Sequence, residues 1–335
     1  MLTCCLVLCL QAAPAQEKVD LPPQRILENV STIKNLVGEK VEYDGYVNKA
    51  GIWVQVGTST FSVVEEGASD KEIVLRASAK GGKFGYSLKA LMESRLDPAT
   101  CVPRTHTFTQ SGSEQQDKRL LFENGRVLYV KKKHCRDPQC KNPAHMVKET
   151  TFWGPIPTGS KTVHCSHCQD RSHYVWLPRY THEVDTAFLD MLTALFAARS
   201  AELKVGTSIV VPLVIDRDRW AITVTSQKEE RIEVKAGKFT CVKVTLQPEN
   251  VGDPERRTQE QFQGIFGLNG TINVWLDKET RLPVQISGSI PFAFMNLNCH
   301  VELRKIVTRS DAAKKARSVT AAVPQTAAGT ADKAQ

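Results

Sequence analysis

The side chains best suited to chemistry gather in one stretch of this 335-residue chain. Between Lys131 and Trp176 stand five of its eight histidines (His134, His145, His164, His167 and His173), together with Cys135, Cys140, Cys165 and Cys168. Cys135-x4-Cys140 and Cys165-x2-Cys168 are two short pairs separated by 24 residues. A short spacing lets two thiolates from one turn face one ion, and two such turns complete a tetrahedron. The expected cofactor is therefore a structural zinc held by Cys135, Cys140, Cys165 and Cys168, with His145 and His173 as alternate ligands. The stretch also carries eight basic and three acidic residues, which would offset the charge of a tetrathiolate. Two other chemistries use the same atoms. In an oxidising compartment the four thiols could form disulfides, and C-x2-C alone fits a redox dithiol. Haem attachment is excluded, because Gln169 follows the second pair where His is required. Four thiols favour a closed structural site over a catalytic zinc with an open position.

Other catalytic signatures are missing. The sequence has no H-E-x-x-H, no G-x-x-x-x-G-K-[ST], no G-x-G-x-x-G after a strand and no G-x-S-x-G. Gly81-Gly82 and Gly264 read as turn glycines. Cys101, Cys241 and Cys299 fall on strand-like segments and read as small core residues. Trp53, Trp220 and Trp275 also lie in strands, where they are expected to pack in the core or line a cavity.

The elements that must position these residues are mostly strands. From Glu39, Val41, Tyr43, Gly45 and Val47 alternate with polar neighbours, and Ile52, Val54 and Val56 do the same before Thr58–Val64. Further strands are predicted at 73–79, 86–96, 104–109, 119–122 and 127–131. After the middle of the chain come 209–215, 220–225, 240–246, 271–276, 283–290 and 299–307. Asn124-Gly125 is a hairpin-turn signal. Leu96-Asp97-Pro98-Ala99-Thr100-Cys101-Val102-Pro103 and Leu276-Asp277-Lys278-Glu279-Thr280-Arg281-Leu282-Pro283 share the pattern L-D-x-x-T-x-x-P, which reads as one turn chemistry used twice. Val184, Phe188, Met191, Leu192, Leu195 and Phe196 recur at helical spacing, predicting a helix over 184–199 that Asp185 could cap. The fold class is mainly β: an antiparallel meander curled into an open barrel or sandwich, one packed helix, and a small zinc-ribbon-like insertion at 132–176. A single β-rich domain is expected over 36–308.

The ends differ from this body. Leu2–Leu10 is apolar and leads to Ala13-Pro14-Ala15, a small-x-small pattern, so 1–15 reads as a secretory signal peptide. Residues 311–335 are alanine-rich with no aromatic residue and read as a disordered tail. No apolar run approaches the roughly 18 residues of a membrane-spanning helix. The formal net charge of +8 is too modest to imply a polyanion partner.

The outline resembles bacterial domain-of-unknown-function family 3108. The residues that carry the resemblance are Val37-Gly38-Glu39-Lys40-Val41-Glu42-Tyr43, Leu203-Lys204-Val205-Gly206-Thr207, and Ala236-Gly237-Lys238-Phe239-Thr240-Cys241-Val242-Lys243-Val244. Val274-Trp275-Leu276-Asp277 and Arg281-Leu282-Pro283-Val284 complete it. The resemblance implies an exported, β-rich cell-envelope protein and carries over no catalytic residue; the Cys/His insertion departs from the family outline. The hairpins are also similar in pattern to periplasmic lipoprotein carriers, which hold acyl chains in a concave half-barrel. The expected function is non-enzymatic binding of a lipid or other hydrophobic ligand, or of an envelope protein, on a curved sheet in the periplasm. Two alternatives stand beside it: a metal- or thiol-dependent enzyme built on the Cys/His cluster, and a nucleic-acid-binding module. The second is disfavoured by the lack of an aromatic-interleaved basic strand.

Overall fold

A computed structural model of the chain describes residues 30–68, 71–83, 85–123, 125–134, 146–164, 174–184, 188–201, 204–252, 262–292 and 295–308. The expected signal peptide and tail lie outside the described residues. The first run of strands is β1 (Lys40–Lys49), β2 (Ile52–Glu66), β3 (Glu72–Lys83), β4 (Tyr86–Leu96), β5 (Pro103–Gly112), β6 (Gln116–Glu123) and β7 (Arg126–His134). Then come β8 (Met146–Trp153), β9 (Ile156–His164), β10 (Tyr174–Glu183) and a helix, α1 (Met191–Ser200). The last run is β11 (Ser208–Ile215), β12 (Asp218–Val234), β13 (Gly237–Asn250), β14 (Asn269–Asp277), β15 (Pro283–Phe292) and β16 (Met295–Thr308).

Fourteen strands form one antiparallel sheet in the order β10-β7-β6-β5-β4-β3-β2-β1-β16-β15-β14-β13-β12-β11, and β8 pairs with β9 apart from it. Each run is a meander of neighbours. The two runs join at one seam, where β1 pairs with β16 and Lys40 stands opposite Thr308. A single sheet replaces the two-sheet sandwich alternative. Among the described residues no ladder closes it into a barrel, and β10 and β11 are its edges. The edges nonetheless meet through side chains: Leu120 on β6, Val127 and Tyr129 on β7, Val214 on β11 and Phe188 share one buried cluster. Lys118 Nζ lies 2.5 Å from Asp216 Oδ2, and His182 Nε2 lies 3.2 Å from the Asp216 carbonyl oxygen. Asp216 sits in the two-residue turn between β11 and β12 at φ 51°, a conformation that Asp tolerates better than most residues.

The helix begins seven residues later than the apolar stripe predicts. Leu189 bridges Leu213 in parallel; its N–H donates to Pro212 O at 3.1 Å and its carbonyl accepts from Val214 N–H at 2.9 Å. The backbone beside β11 is therefore committed to a sheet-like bridge until Asp190. Val184 and Phe188 are apolar because they cover the junction of the sheet's edges, and this burial mimics helical spacing. The cap is Asp190 rather than Asp185, which lies outside the described residues. Asp190 Oδ1 accepts from the backbone N–H of Leu192 (2.9 Å) and Thr193 (3.1 Å).

The helix fills one end of the curled sheet. Leu192, Phe196 and Ala197 pack against Ile33 and the inner residues of β1 to β4. At its C-terminal end Arg199, 3% exposed, grips Glu39 with two bonds of 2.6 and 3.0 Å, and its Nε donates to Arg281 O. Burial opposes the Arg199 charge, but the Glu39 carboxylate outweighs it and holds the guanidinium above its ordinary value. Tyr43 OH donates to Pro283 O at 2.9 Å, tying β1 to the start of β15.

The two L-D-x-x-T-x-x-P turns share one geometry. Asp97 N–H donates to Val102 O and Asp277 N–H to Leu282 O, both at 2.9 Å. The Asp carboxylate takes the N–H and hydroxyl of Thr100 in one turn and of Thr280 in the other. Cys101 and Arg281, at the same place in each, have φ of 57° and 58°. The carboxylate satisfies the donors that this left-handed step turns away from the ladder.

The expected insertion at 132–176 is shorter than its composition suggests. Lys132 to His134 belong to β7 and pair with Trp176 to Tyr174 of β10, a strand that the basic composition hid. Lysines beside a sheet edge discourage pairing with other chains, so a charged strand here is no contradiction.

Candidate functional site

The inner face of the sheet changes size along each strand. β1 runs from Val41 and Tyr43 to Gly45, β2 from Val63 and Phe61 to Ser59 and Gly57, and β3 from Leu75 and Ala77 to Ala79 and Gly81. The large residues surround α1, and the small ones surround a cavity of about 500 Å³. Gly45 stands opposite Gly57, and Gly57 opposite Gly81, so the glycines form one row across three strands. A Cβ on Gly57 would lie 2.7 Å from Lys80 O, and one on Gly81 2.7 Å from Val56 O. Only glycine allows β2 and β3 to approach this closely, and such rows let a sheet bend sharply. The turn roles expected for Gly81-Gly82 and Gly264 are not the roles found. Gly81 and Gly82 lie inside β3, and Gly264 precedes a 3₁₀ turn (Ile265–Gly267) against the cavity.

One wall of the cavity is apolar: Val47, Val56, Ala90, Met92, Leu297 and Cys299 are among its residues, with Leu268 beside them. Burial pushes the Cys299 thiol up to about 12, so this cysteine acts as a small apolar residue. Met191, the first residue of α1, also lines the cavity.

The opposite wall is polar, on the inward positions of β5 and β6. His106 is registered with Leu120, Phe108 with Lys118 and Gln110 with Gln116, making a compact patch of six residues. His106 is anchored from behind. Ser94 Oγ donates to Asp190 Oδ1 at 2.6 Å, and the same hydroxyl lies 2.9 Å from His106 Nδ1. A serine has one proton to give, so Nδ1 must carry the proton in the second contact. His106 Nδ1 is also 3.2 Å from Asp190 Oδ1. Burial alone would raise the Asp190 pKa, but the His106 charge and the bonds from His106, Ser94 and Thr193 hold it below the usual carboxylate value. The cluster thus joins the N-terminus of α1 to the cavity wall and leaves Nε2 without a partner among the described residues.

Serine, histidine and aspartate together invite comparison with a hydrolytic triad, and the geometry answers it. A triad places the nucleophile on one ring nitrogen and the carboxylate on the other. Here Ser94 and Asp190 both engage Nδ1, and Ser94 is fully buried with its proton committed to Asp190. The arrangement positions and caps; it does not generate an alkoxide.

Lys118 lies on the polar wall with its Nζ 5.7 Å from the Phe108 ring centroid. It stands directly opposite Lys131 of β7, and Asp216 lies beside both. Lys131 is pushed below its ordinary value, first by burial and then by the charge of Lys118, against which Asp216 gives only partial relief. Like charges facing each other across strands repel.

The residues expected to hold zinc are not described: Cys135, Cys140, Cys165, Cys168, His145 and His173 all lie outside the described residues. No group of three or more His, Cys, Asp or Glu that could hold a metal occurs among the described residues. Cys101, Cys241 and Cys299 are buried free thiols, in keeping with core positions. Of the strand tryptophans, Trp220 is buried edge-on to Phe262, and Trp275 donates to Glu230 Oε2 at 2.6 Å. Trp53 does not join the core: it is 47% exposed, its ring 4.1 Å from that of His300 and tilted 55° to it, near the tip of the β1–β2 hairpin.

The cavity itself was not foreseen as a set of residues. Alternation showed that His106, Phe108 and Gln110 share a face, but nothing in the sequence showed that the face is inward and unfilled.

No curated protein matches the sequence. Among solved structures, a beta-barrel-like protein of domain of unknown function DUF1849 from Brucella abortus is similar at 11% identity, over 82% of this chain and 98% of that one, with a TM-score of 0.42. A Bacteroides fragilis protein of YmcC-like fold, described as exported, is similar at 10% identity over 81% and 96%, with a TM-score of 0.29. A DUF1329 family protein from Desulfovibrio piger is similar at 8% identity over 87% and 94%, with a TM-score of 0.25. Residues 170–297, from the last residues before β10 to β16, match the model of the family described as protein of unknown function DUF3108.

Proposed function

We propose that this is an exported cell-envelope protein that binds a hydrophobic ligand inside its curled sheet and performs no catalysis. The observation that carries the reading is the cavity of about 500 Å³ with an apolar wall. Its volume falls within the roughly 300–1,000 Å³ of small-molecule sites. The taper from large to small inner residues supports a built space rather than a packing defect. Export rests on the apolar Leu2–Leu10 stretch and the Ala13-Pro14-Ala15 pattern that follows it. No helix among the described residues is long and apolar enough to cross a membrane. The test is titration of the purified mature chain with an environment-sensitive apolar dye, followed by displacement with long-chain lipids. Saturable binding with displacement is expected. Unsaturable partitioning, or dye binding unaffected by Ala90→Phe in the cavity wall, would defeat the reading.

We also propose that the four cysteines between β7 and β10 hold a structural zinc. Support comes from the registers on either side. His134 pairs with Tyr174, and Met146 with His164, so the stretches 135–145 and 165–173 begin and end at cross-strand neighbours. Metal analysis combined with thiol counting tests this. One zinc per chain, with four further reactive thiols after chelation, is expected; blocked thiols without metal would mean disulfides instead.

A further inference from the structure

The charge on the polar wall narrows the ligand class. Lys118 and Lys131 face each other in register across β6 and β7, and one carboxylate, Asp216, serves both. Lys131 has no ion pair of its own among the described residues. Next to Lys118, Gln110 is 8% exposed, lines the cavity, and has a side-chain amide without a partner there. His106 offers its unpartnered Nε2 from the same wall. Val47, Met92 and Leu297 supply apolar surface across from it. Of the charged residues lining the cavity, Lys80, Lys83, Lys118 and Arg119 outnumber Glu114 and Asp216. A cavity with cations in excess, an amide donor beside one of them and apolar surface across from it is complementary to a molecule with an anionic headgroup and one hydrocarbon chain.

We propose that the cavity takes a long-chain fatty acid, its carboxylate against Lys118 and Gln110 and its chain along the wall formed by Val47, Met92 and Leu297. The ligand is anionic because the cationic side chains that line the cavity outnumber the carboxylates. It is single-chained because one cavity of about 500 Å³ leaves no second compartment for another chain. The carboxylate completes the neutralisation that Asp216 leaves unfinished. The hydrocarbon fills the space that the glycine row and the alanines of β3 and β4 keep empty.

This deepens the hydrophobic-ligand reading, and one set of titrations separates the two. The full mature chain is titrated with palmitate, hexadecanol, hexadecyl phosphate and hexadecyltrimethylammonium at low ionic strength. Palmitate should bind at least about tenfold more tightly than hexadecanol, as a charge-assisted hydrogen bond in a sheltered site allows. Lys118→Gln should bring palmitate down to the level of hexadecanol and leave hexadecanol unchanged, and Lys131→Gln should reduce the preference in part. A melting curve for each variant confirms that it is folded. Equal binding of palmitate and hexadecanol to the unsubstituted chain would overturn the headgroup assignment while leaving the hydrophobic reading intact. A preference for the cationic amphiphile would overturn the anionic ligand, and a preference for the dianionic phosphate would overturn the carboxylate. Absence of saturable binding by all four would defeat both.

Discussion

The two ends of the space inside the sheet are made from the same strands and differ in what occupies them. Around α1, the inner positions of β1 to β4 carry Tyr43, Phe61, Leu75 and Leu96, and the helix supplies Phe196 and Leu192 to fill the remainder. Further along, the same faces carry Gly45, Gly57, Ala79 and Ala90, and of the helix only its first residue, Met191, borders the space. Alternation is identical in both ends. The filled end is defined by volume and by a buried ion pair, and the hollow end by the removal of side chains along one row. A strand pattern therefore specifies a face, while the sizes within that face specify whether it becomes core or container.

Substitutions can test this contrast. The largest effect belongs to the filled end: Phe196→Ala should lower unfolding free energy by about 3–5 kcal/mol in urea denaturation, because transfer and cavity terms add. Leu88→Ala, on the cavity side of β4, should cost only about 1 kcal/mol, since that side chain already borders open space. Glu39→Ala should cost about 3–5 kcal/mol by leaving Arg199 buried and unpaired, and it should leave dye affinity unchanged when measured below the melting temperature. A sharper pair lies two residues apart on β3. Ala77→Leu should destabilise by about 1–3 kcal/mol through overpacking, and Ala79→Leu by less than about 1 kcal/mol while it displaces ligand. Equal costs at the two alanines would erase the distinction between core and container.

The smallest effect is one of acidity at the filled end. Backbone N–H donation from Thr100, together with Arg104, holds the Asp97 carboxyl at about 2, below its ordinary 3.8. A carboxylate depressed in the folded state contributes stability that is complete above the unfolded value and lost as pH falls through the folded one. The contribution of Asp97 is thus intact above about pH 4 and disappears toward pH 2. Thermal melts of Asp97→Asn between pH 5 and pH 2 should show a shallower acid-induced fall than those of the unsubstituted chain.

Much of the sheet was legible in sequence because half-buried strands repeat every two residues. Val41 to Val47, Tyr86 to Leu96 and Pro283 to Ile290 all lie in strands that extend the predicted ranges by few residues. The Asp97 and Asp277 turns were legible because their chemistry is local: each carboxylate bonds residues two or three positions away. What was hidden depends on register between distant strands. Gly81 reads as a turn residue until Gly57 is placed opposite it. His106 reads as one more polar residue in a strand until Ser94 and Asp190 reach it from β4 and the start of α1. The helix boundary was misplaced for the same reason, since Val184 and Phe188 bury themselves against β6, β7 and β11 rather than along a helix. The hairpin between β6 and β7 sets Lys118 opposite Lys131, but Asp216 lies far from both in sequence, and no spacing rule connects it to them.

The seam between β1 and β16 has a consequence for the order of events as the chain is made. Thr308 donates its hydroxyl to Gly38 O across 270 positions, so this ladder pairs the first strand with the last. Each meander can collapse on neighbours as it emerges, but long-range pairing of this kind is slow, and until it happens the edges of β1 and β15 stay bare. The curvature that encloses the cavity is completed only when those edges are bridged. A chain halted before Met295 would therefore present two unsatisfied half-sheets, a form suited to capture by a chaperone or to aggregation rather than to holding a ligand. Synthesis of the final strand and the enclosure of the cavity are, in this architecture, a single step.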